Sequence, residues 1–254
     1  MNISKVKERI ESLFYTQDNP SFKAESGITI GTDRDIKKVG YCVNLTVDTV
    51  NQAIKEDVDM MVTHHDAWDF VYGMKDACNE LLREHGIGHY FNHLPLDDSN
   101  FGTNASLAKK LGADLVDRSH TYEGFDCGRI CEFNEPIPFT ELITRMEDAL
   151  DEPVKAWRYG PSMIKKVGIV CGGGEGTSLA KEAFDSGCDV YITGEKVLYT
   201  IQYAKLIEKN LIIGTHTFIE MPGVEGLADL YEKTFGDQQF IKLNEEHVEV
   251  SGNV

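Results

Sequence analysis

The chain lacks a surplus of basic residues, an apolar run of membrane length, and the closely paired cysteines of a zinc ribbon or redox motif. Its 25 Lys and Arg stand against 42 Asp and Glu, a net charge of −17. Nucleic-acid binding is therefore not expected, because a phosphate backbone demands a basic surface. No stretch approaches the roughly 18–20 continuous apolar residues of a spanning helix. The opening residues Met1 to Arg9 are charged and helix-like, without the apolar segment of a signal peptide. A cytoplasmic protein is expected. None of the six cysteines forms a CxxC pair. Cys127 and Cys131 share a segment that reads as a strand, where residues four apart lie ~13 Å from each other. That is too far for a disulfide or a shared zinc, so reduced, buried thiols are expected. A phosphate-binding P-loop is missing too. The run Gly172-Gly-Gly-Glu-Gly176 has no lysine at the needed place, and it makes a poor GxGxxG fingerprint.

What is present is an alternation of strands and helices. Ile3, Val6, Ile10, Leu13 and Phe14 share one helical face. The spacing then predicts strands at 37–44, 59–63 and 88–92, with helices at about 46–56, 75–85 and 105–111. A second series follows: strands at 126–133, 165–171, 189–193 and 211–214, with helices to about 185, at 197–208 and at about 224–234. Strand-like pieces at 239–243 and 247–250 close the chain. The two series look like copies. Lys37-Lys-Val-Gly matches Lys165-Lys-Val-Gly, and Asp59-Met-Met-Val-Thr-His-His matches Asp189-Val-Tyr-Ile-Thr-Gly-Glu. Two similar three-layer α/β halves are expected, 1–125 and 126–254, with equivalent strand ends meeting at one interface.

Three fragments carry the chemistry. His64 and His65 end an apolar strand, and neighbouring imidazoles share a target only where a strand stops. His93-Leu-Pro-Leu-Asp97 and His216-Thr-Phe-Ile-Glu220 each pair an imidazole with a carboxylate four residues on, one helical face apart. Four His, one Asp and one Glu are too many for one tetrahedral ion and suit two ions. Imidazole-rich donors favour iron, zinc, manganese or cobalt over calcium or magnesium. His85, His89, His120 and His247 read as structural or exposed. The glycine run is either a tight turn or, through Gly173 and Gly174, an amide cradle for a substrate anion. Glu195, at the repeat position of His65, is either a general acid/base or a solvated carboxylate.

In this order and spacing the fragments resemble the GTP cyclohydrolase 1 type 2 homologs, the NIF-three-like proteins. The residues that carry the likeness are His64-His65, His93-x-x-x-Asp97 with Gly102-Thr-Asn-Ala-Ser-Leu-Ala, Asp189-x-x-Ile-Thr-Gly-Glu195, and His216-x-x-x-Glu220. The resemblance implies a two-domain α/β fold with a dinuclear metal centre between the domains and a ring-shaped homohexamer. By position it implies His64, His65, Asp97, His216 and Glu220 as ligands of two divalent ions, one carboxylate bridging. His93 then orients Asp97 or touches substrate, and His93 and Glu195 are the candidate catalytic groups. It further implies a metal-dependent hydrolase, ring-opening GTP or cleaving a phosphoester. The alternative is a metal-binding scaffold or regulator acting through protein partners. Three positions depart from the family's habit: Asp66 stands where proline is usual, Leu94-Pro-Leu96 replaces Thr-Asn-Leu, and Thr215 replaces glycine.

Overall fold

Strands and helices alternate as the sequence pattern predicts, but they assemble into two units that are not simple halves. The structure, a computed structural model, describes residues 1–246. The first unit comprises Met1–Phe101 and Val224–Glu246, the second Gly102–Gly223.

The first unit opens with helix α1 (Ile3–Glu11), whose Val6 and Ile10 are buried, and strand β1 (Ser26–Ile30). Then come β2 (Lys38–Asn44), α2 (Val47–Lys55), β3 (Met60–His65), α3 (Met74–Glu84), β4 (Gly88–Asn92) and the short α4 (Leu94–Asp98). Thr46 caps α2: its hydroxyl accepts from the Thr49 amide while the Thr49 hydroxyl accepts from the Thr46 amide. Strands β2, β3 and β4 pair in parallel, with β3 central, and β1 joins β4 antiparallel. Parallel strands covered on both faces read as unbroken apolar runs, and all six residues of β3 are buried. Val50, Ala53, Cys78 and Leu82 pack α2 and α3 onto the sheet around Met61.

The second unit runs α5 (Thr103–Leu111), β5 (Asp114–Tyr122), β6 (Phe125–Pro138), α6 (Phe139–Leu150), β7 (Lys155–Trp157), β8 (Met163–Val170), α7 (Thr177–Asp185), β9 (Val190–Thr193), α8 (Leu198–Leu206), β10 (Asn210–Ile213) and the start of α9 (His216–Phe235), whose residues from Val224 on belong to the first unit. Here β8, β9 and β10 form the parallel centre, β7 joins β10 antiparallel, and the β5–β6 hairpin extends the other edge. Two cores cover its two faces. Leu107, Leu142 and Met146 pack with Val167 and Ile169, while Ala180, Phe184 and Ala204 pack with Val170 and Tyr191. That is the expected three-layer arrangement.

The expected break at 125/126 falls in the turn of the β5–β6 hairpin. Glu123 and Gly124 both take positive φ there (+50° and +78°), the backbone of a two-residue hairpin turn. Cutting at that point would separate paired strands, so both strands stay in one unit. The last described strand, β11 (Gln239–Lys242), returns to the first unit by pairing in parallel with β2. Helix α9 starts eight residues before the predicted 224, carrying Pro222 within it. Elements β1, α4, β5, α6 and β7 were not predicted. The predicted strand 247–250 lies outside the described residues. All six cysteines are buried and none forms a disulfide. Burial pushes the thiols of Cys131 and Cys188 up to about 12, so neither is a thiolate nucleophile near neutral pH. Among the described residues no helix is long and apolar enough to cross a membrane.

Candidate metal centre

In the first unit, strand β3 delivers two adjacent imidazoles because its neighbours let go at different points. Its ladder with β4 ends at Thr63–Phe91, while its pairing with β2 continues to Asn44–His65. One edge of the chain is thus released just before the histidines. The Thr63 hydroxyl donates to the His65 carbonyl at 2.6 Å. The rings of His64 and His65 then lie 4.5 Å apart, and His93 joins them at 5.1 and 5.3 Å. One ligand atom from each of these three histidines lies within 4.8 Å of the others. Asp97, from α4, brings Oδ1 to 3.5 Å from His64 Nε2. His64, His65 and Asp97 are buried, and the His93 side chain is 39% exposed. The sequence reading gave His93 a supporting role, and its ring stands beside the other two with a nitrogen close enough to share an ion with them.

Every one of these rings is held by its Nδ1. His64 Nδ1 lies 3.0 Å from the Asn92 carbonyl oxygen, His65 Nδ1 2.8 Å from Asn44 Oδ1, and His93 Nδ1 2.8 Å from Glu25 Oε2. An oxygen acceptor at Nδ1 fixes the proton there and leaves Nε2 as the lone-pair nitrogen, the tautomer a metal ligand needs. The Asn44 amide orientation is set in turn. Its Nδ2 donates to Glu245 Oε1 at 2.7 Å, so its oxygen faces His65. Glu245 also accepts from the amides of Val43 and Asn44. The spacing pattern pointed to none of Glu25, Asn44 and Glu245.

In the second unit, α9 places His216 and Glu220 one turn apart, with Nε2 and Oε1 3.5 Å from each other, as the His-x-x-x-Glu spacing predicts. His216 follows the same rule as its counterparts, its Nδ1 lying 2.8 Å from Glu195 Oε1. Glu195 therefore orients a histidine, which neither sequence alternative anticipated. Thr215, the residue in place of the usual glycine, anchors the start of the helix. Its amide and hydroxyl each donate to Glu152 Oε1 at 2.8 Å, and Glu152 is buried.

The glycine run packs against this pair. Gly172 has φ +64°, and a Cβ there would overlap Glu220 Oε1 and come within 3.0 Å of His216 Nε2. Its carbonyl accepts from the amides of Gly174 and Gly194 at 3.0 and 3.1 Å. Gly174 is buried, and the Tyr191 hydroxyl donates to its carbonyl at 2.6 Å. Gly173 alone of the first three is exposed. The run is a tight turn that walls the His216–Glu220 pair.

His89 shows what a structural histidine looks like in the same sheet. It is fully buried, with Nδ1 against Thr29 Oγ1 and Nε2 2.8 Å from Thr63 Oγ1. Both nitrogens are engaged, and burial lowers its pKa to about 4. A cavity of about 280 Å³ opens beside the first-unit cluster, lined by His65, His93, Trp68, Phe70, Phe91 and Lys75 with Asp66 and Asp69.

Comparison with known proteins gives the same direction. The family model described as Duf34/NIF3 (NGG1p interacting factor 3) matches residues 1–249. A GTP cyclohydrolase 1 type 2 homolog from Pyrococcus horikoshii is 28% identical over 220 residues, 84% of this chain and 87% of that protein. One from Haemophilus influenzae is 29% identical over 226 residues, 84% and 86% of the two chains. Among solved structures, reduced HcgD from Methanocaldococcus jannaschii superposes with a TM-score of 0.80 at 23% identity, covering 96% of this chain and 98% of that one. Protein ybgI, titled as of unknown function, gives 0.85 at 23% identity over 96% and 99%. At these identities the structural likeness speaks for the fold.

Proposed function

This chain belongs to the Duf34/NIF3 family, and from that premise we propose that it is a dinuclear divalent-metal hydrolase resembling GTP cyclohydrolase 1 type 2. The observation that carries the reading is the common restraint on four imidazoles. His64, His65, His93 and His216 are each anchored through Nδ1 on an oxygen acceptor, which leaves each Nε2 as a donor. A surface histidine paired by chance has no reason to follow that rule four times.

In this reading His64, His65 and Asp97 of the first unit and His216 and Glu220 of the second hold two ions, with His93 beside them as a further donor or substrate contact. The donor set of imidazoles and carboxylates suits iron, zinc, manganese or cobalt. Bound divalent ions would supply Lewis acidity and lower the pKa of water from 15.7 to about 7. The chain's own groups do the rest. Asn44, Glu25 and Glu195 keep the rings in one tautomer, the exposed Gly173 amide is the substrate contact on the glycine turn, and Glu195 is the carboxylate that takes or gives a proton. Ring-opening of GTP is the first reaction to assay and phosphoester cleavage the second.

Metal content should approach two ions per chain in purified protein and fall sharply in His65→Ala and Glu220→Ala. GTP incubated with the loaded protein should lose its purine absorbance, and a phosphoester should release phosphate if the second chemistry holds. Metal at background in the unaltered protein overturns the dinuclear reading. Metal at two ions with no turnover of any nucleotide or phosphoester turns the assignment to a binding scaffold.

A further inference from the structure

The loop after His65 builds a cavity whose shape and charge name its ligand. Trp68 and Phe70 stack on each other, ring centroids 5.4 Å apart and planes 19° from parallel. The His65 ring meets Trp68 at 5.0 Å and 44°, and Phe91 lines the same space. Phe70 is 72% exposed, so one face of this aromatic pair is open to a ligand. Flat aromatic faces lining a cavity select a flat ligand, because stacking is lost on a puckered one. The volume of about 280 Å³ is at the lower edge of small-molecule pockets, which hold roughly 300–1,000 Å³. It accepts one ring system, and the rest of a larger substrate must lie outside it.

Charge decides what kind of ring. Asp66 and Asp69 both line the cavity, and Lys75 bridges them, its ammonium 3.1 Å from Asp66 and 3.3 Å from Asp69. One cation against two carboxylates leaves these three side chains negative by one charge in the metal-free protein. A phosphate here would face a carboxylate on either side of the only ammonium on that wall. A neutral or cationic ring bearing N–H donors would find carboxylate oxygens to bond instead.

We propose that this cavity is a ring subsite for an uncharged or cationic planar heterocycle that stacks on Trp68 and donates N–H hydrogen bonds to Asp66 or Asp69. A phosphate-bearing tail, where the substrate has one, points away from it. The proposal deepens the hydrolase reading and rests on it only for the claim that the bound ring belongs to a substrate. It makes Asp66, the residue in place of the usual proline, a specificity residue.

The chain has two tryptophans, Trp68 and Trp157, so the variant Trp157→Phe isolates Trp68 as a fluorescent reporter. Guanosine and adenosine, titrated into chelator-treated and zinc-loaded protein, should quench Trp68 saturably. In the chelator-treated protein ribose 5-phosphate and inorganic phosphate should not. By equilibrium dialysis, Trp68→Leu should weaken nucleoside binding roughly tenfold, the effect of one lost stack. Asp66→Asn with Asp69→Asn should weaken it too and admit ribose 5-phosphate. Absence of saturable quenching by either nucleoside, equal binding of ribose 5-phosphate to the unaltered cavity, or unchanged affinity in Trp68→Leu would overturn the proposal. Quenching in a protein that takes up no metal when zinc is supplied keeps the ring subsite and removes the metal reading. Two ions per chain without quenching does the reverse.

Discussion

The two units place the same device at the base of their central strands and opposite chemistry at the tips. In the first, Asp59 Oδ2 accepts from the amides of Lys37 and Lys38 at 2.9 and 3.0 Å. In the second, Asp189 Oδ2 accepts from Lys165 and Lys166 at 2.8 and 3.0 Å. Each aspartate then lends its backbone to both neighbouring strands: Asp59 to Lys38 and Gly88, Asp189 to Lys166 and Asn210. Five residues on, the copies part. Strand β3 ends in His64 and His65, which are themselves candidate ligands. Strand β9 is followed by Gly194 and Glu195, which make room for and orient a candidate ligand, His216, brought by another element. A Cβ on Gly194 would lie 2.9 Å from the His216 Cα and 2.8 Å from the Gly172 carbonyl oxygen, so only glycine lets α9 start there. A repeated scaffold can thus keep its strand-base geometry and exchange which element carries the donor.

The sharpest way to break the comparison uses His89. It pairs with Met61 across β3–β4, and Leu211 pairs with Tyr191 at the matching place in β9–β10. One unit therefore buries an imidazole where the other buries a leucine. Burial lowers the His89 pKa to about 4, with Asp66 opposing and Lys75 adding slightly. A folded-state pKa below the unfolded 6.5 means that the unfolded chain binds the proton first as pH falls. Stability from this group is therefore complete above pH 6.5 and is lost between 6.5 and 4, by about 3 kcal/mol at most. Urea unfolding of metal-free protein at pH 7 and pH 4.5 should show this loss, and His89→Leu should remove most of it. An identical pH dependence in the variant would assign acid sensitivity to other groups.

The second test probes what the units share. Replacing Asp59 or Asp189 with alanine strips two amides of a charged acceptor, at about 2 kcal/mol for each variant. Asp59 has an added contact, Arg34 Nη1 at 3.4 Å, but the pair is half-exposed and contributes little. Thermal or urea unfolding should give losses equal within about 1 kcal/mol. A difference several times larger would show that the two strand bases are alike in appearance only.

How much of this was readable beforehand divides along the same line. The parallel strands β2, β3, β4, β8, β9 and β10 announced themselves as apolar runs, because strands buried on both faces have no polar side to show. β5 did not, since four of its first five residues are exposed and its sequence, Asp-Leu-Val-Asp-Arg, presents no apolar face. The stripe Phe139, Leu142, Met146 and Leu150 was a usable signal for α6. The start of α9 was hidden because Pro222 and Gly223 look like a boundary, whereas the helix runs through both. At the site, His64, His65, His93, Asp97, His216 and Glu220 were legible as candidates because metal chemistry restricts residue type and spacing. Their anchors Asn44, Glu25, Glu245 and Glu152 were not. Each reaches its partner across 21 to 201 residues of chain, and no local period records such a pairing.

Those anchors supply the last comparison. Asn44 holds His65 with a neutral oxygen, and Glu195 holds His216 with a charged one. A carboxylate at Nδ1 raises the basicity of the ring's other nitrogen more than an amide oxygen does. Loss of Glu195 should therefore weaken metal binding more than loss of Asn44. Asn44→Ala and Glu195→Ala should each reduce affinity by roughly 10- to 100-fold, with Glu195→Ala toward the upper end, measured by zinc titration against a competing chelator. Glu195→Gln should recover the part that depends on orientation and leave the part that depends on charge. Equal losses in Asn44→Ala and Glu195→Ala, with full affinity in Glu195→Gln, would then show orientation alone at both strand ends. If Glu195→Ala leaves affinity unchanged, the carboxylate beside His216 is not a ligand's anchor, and the second strand tip has lost its role in the site.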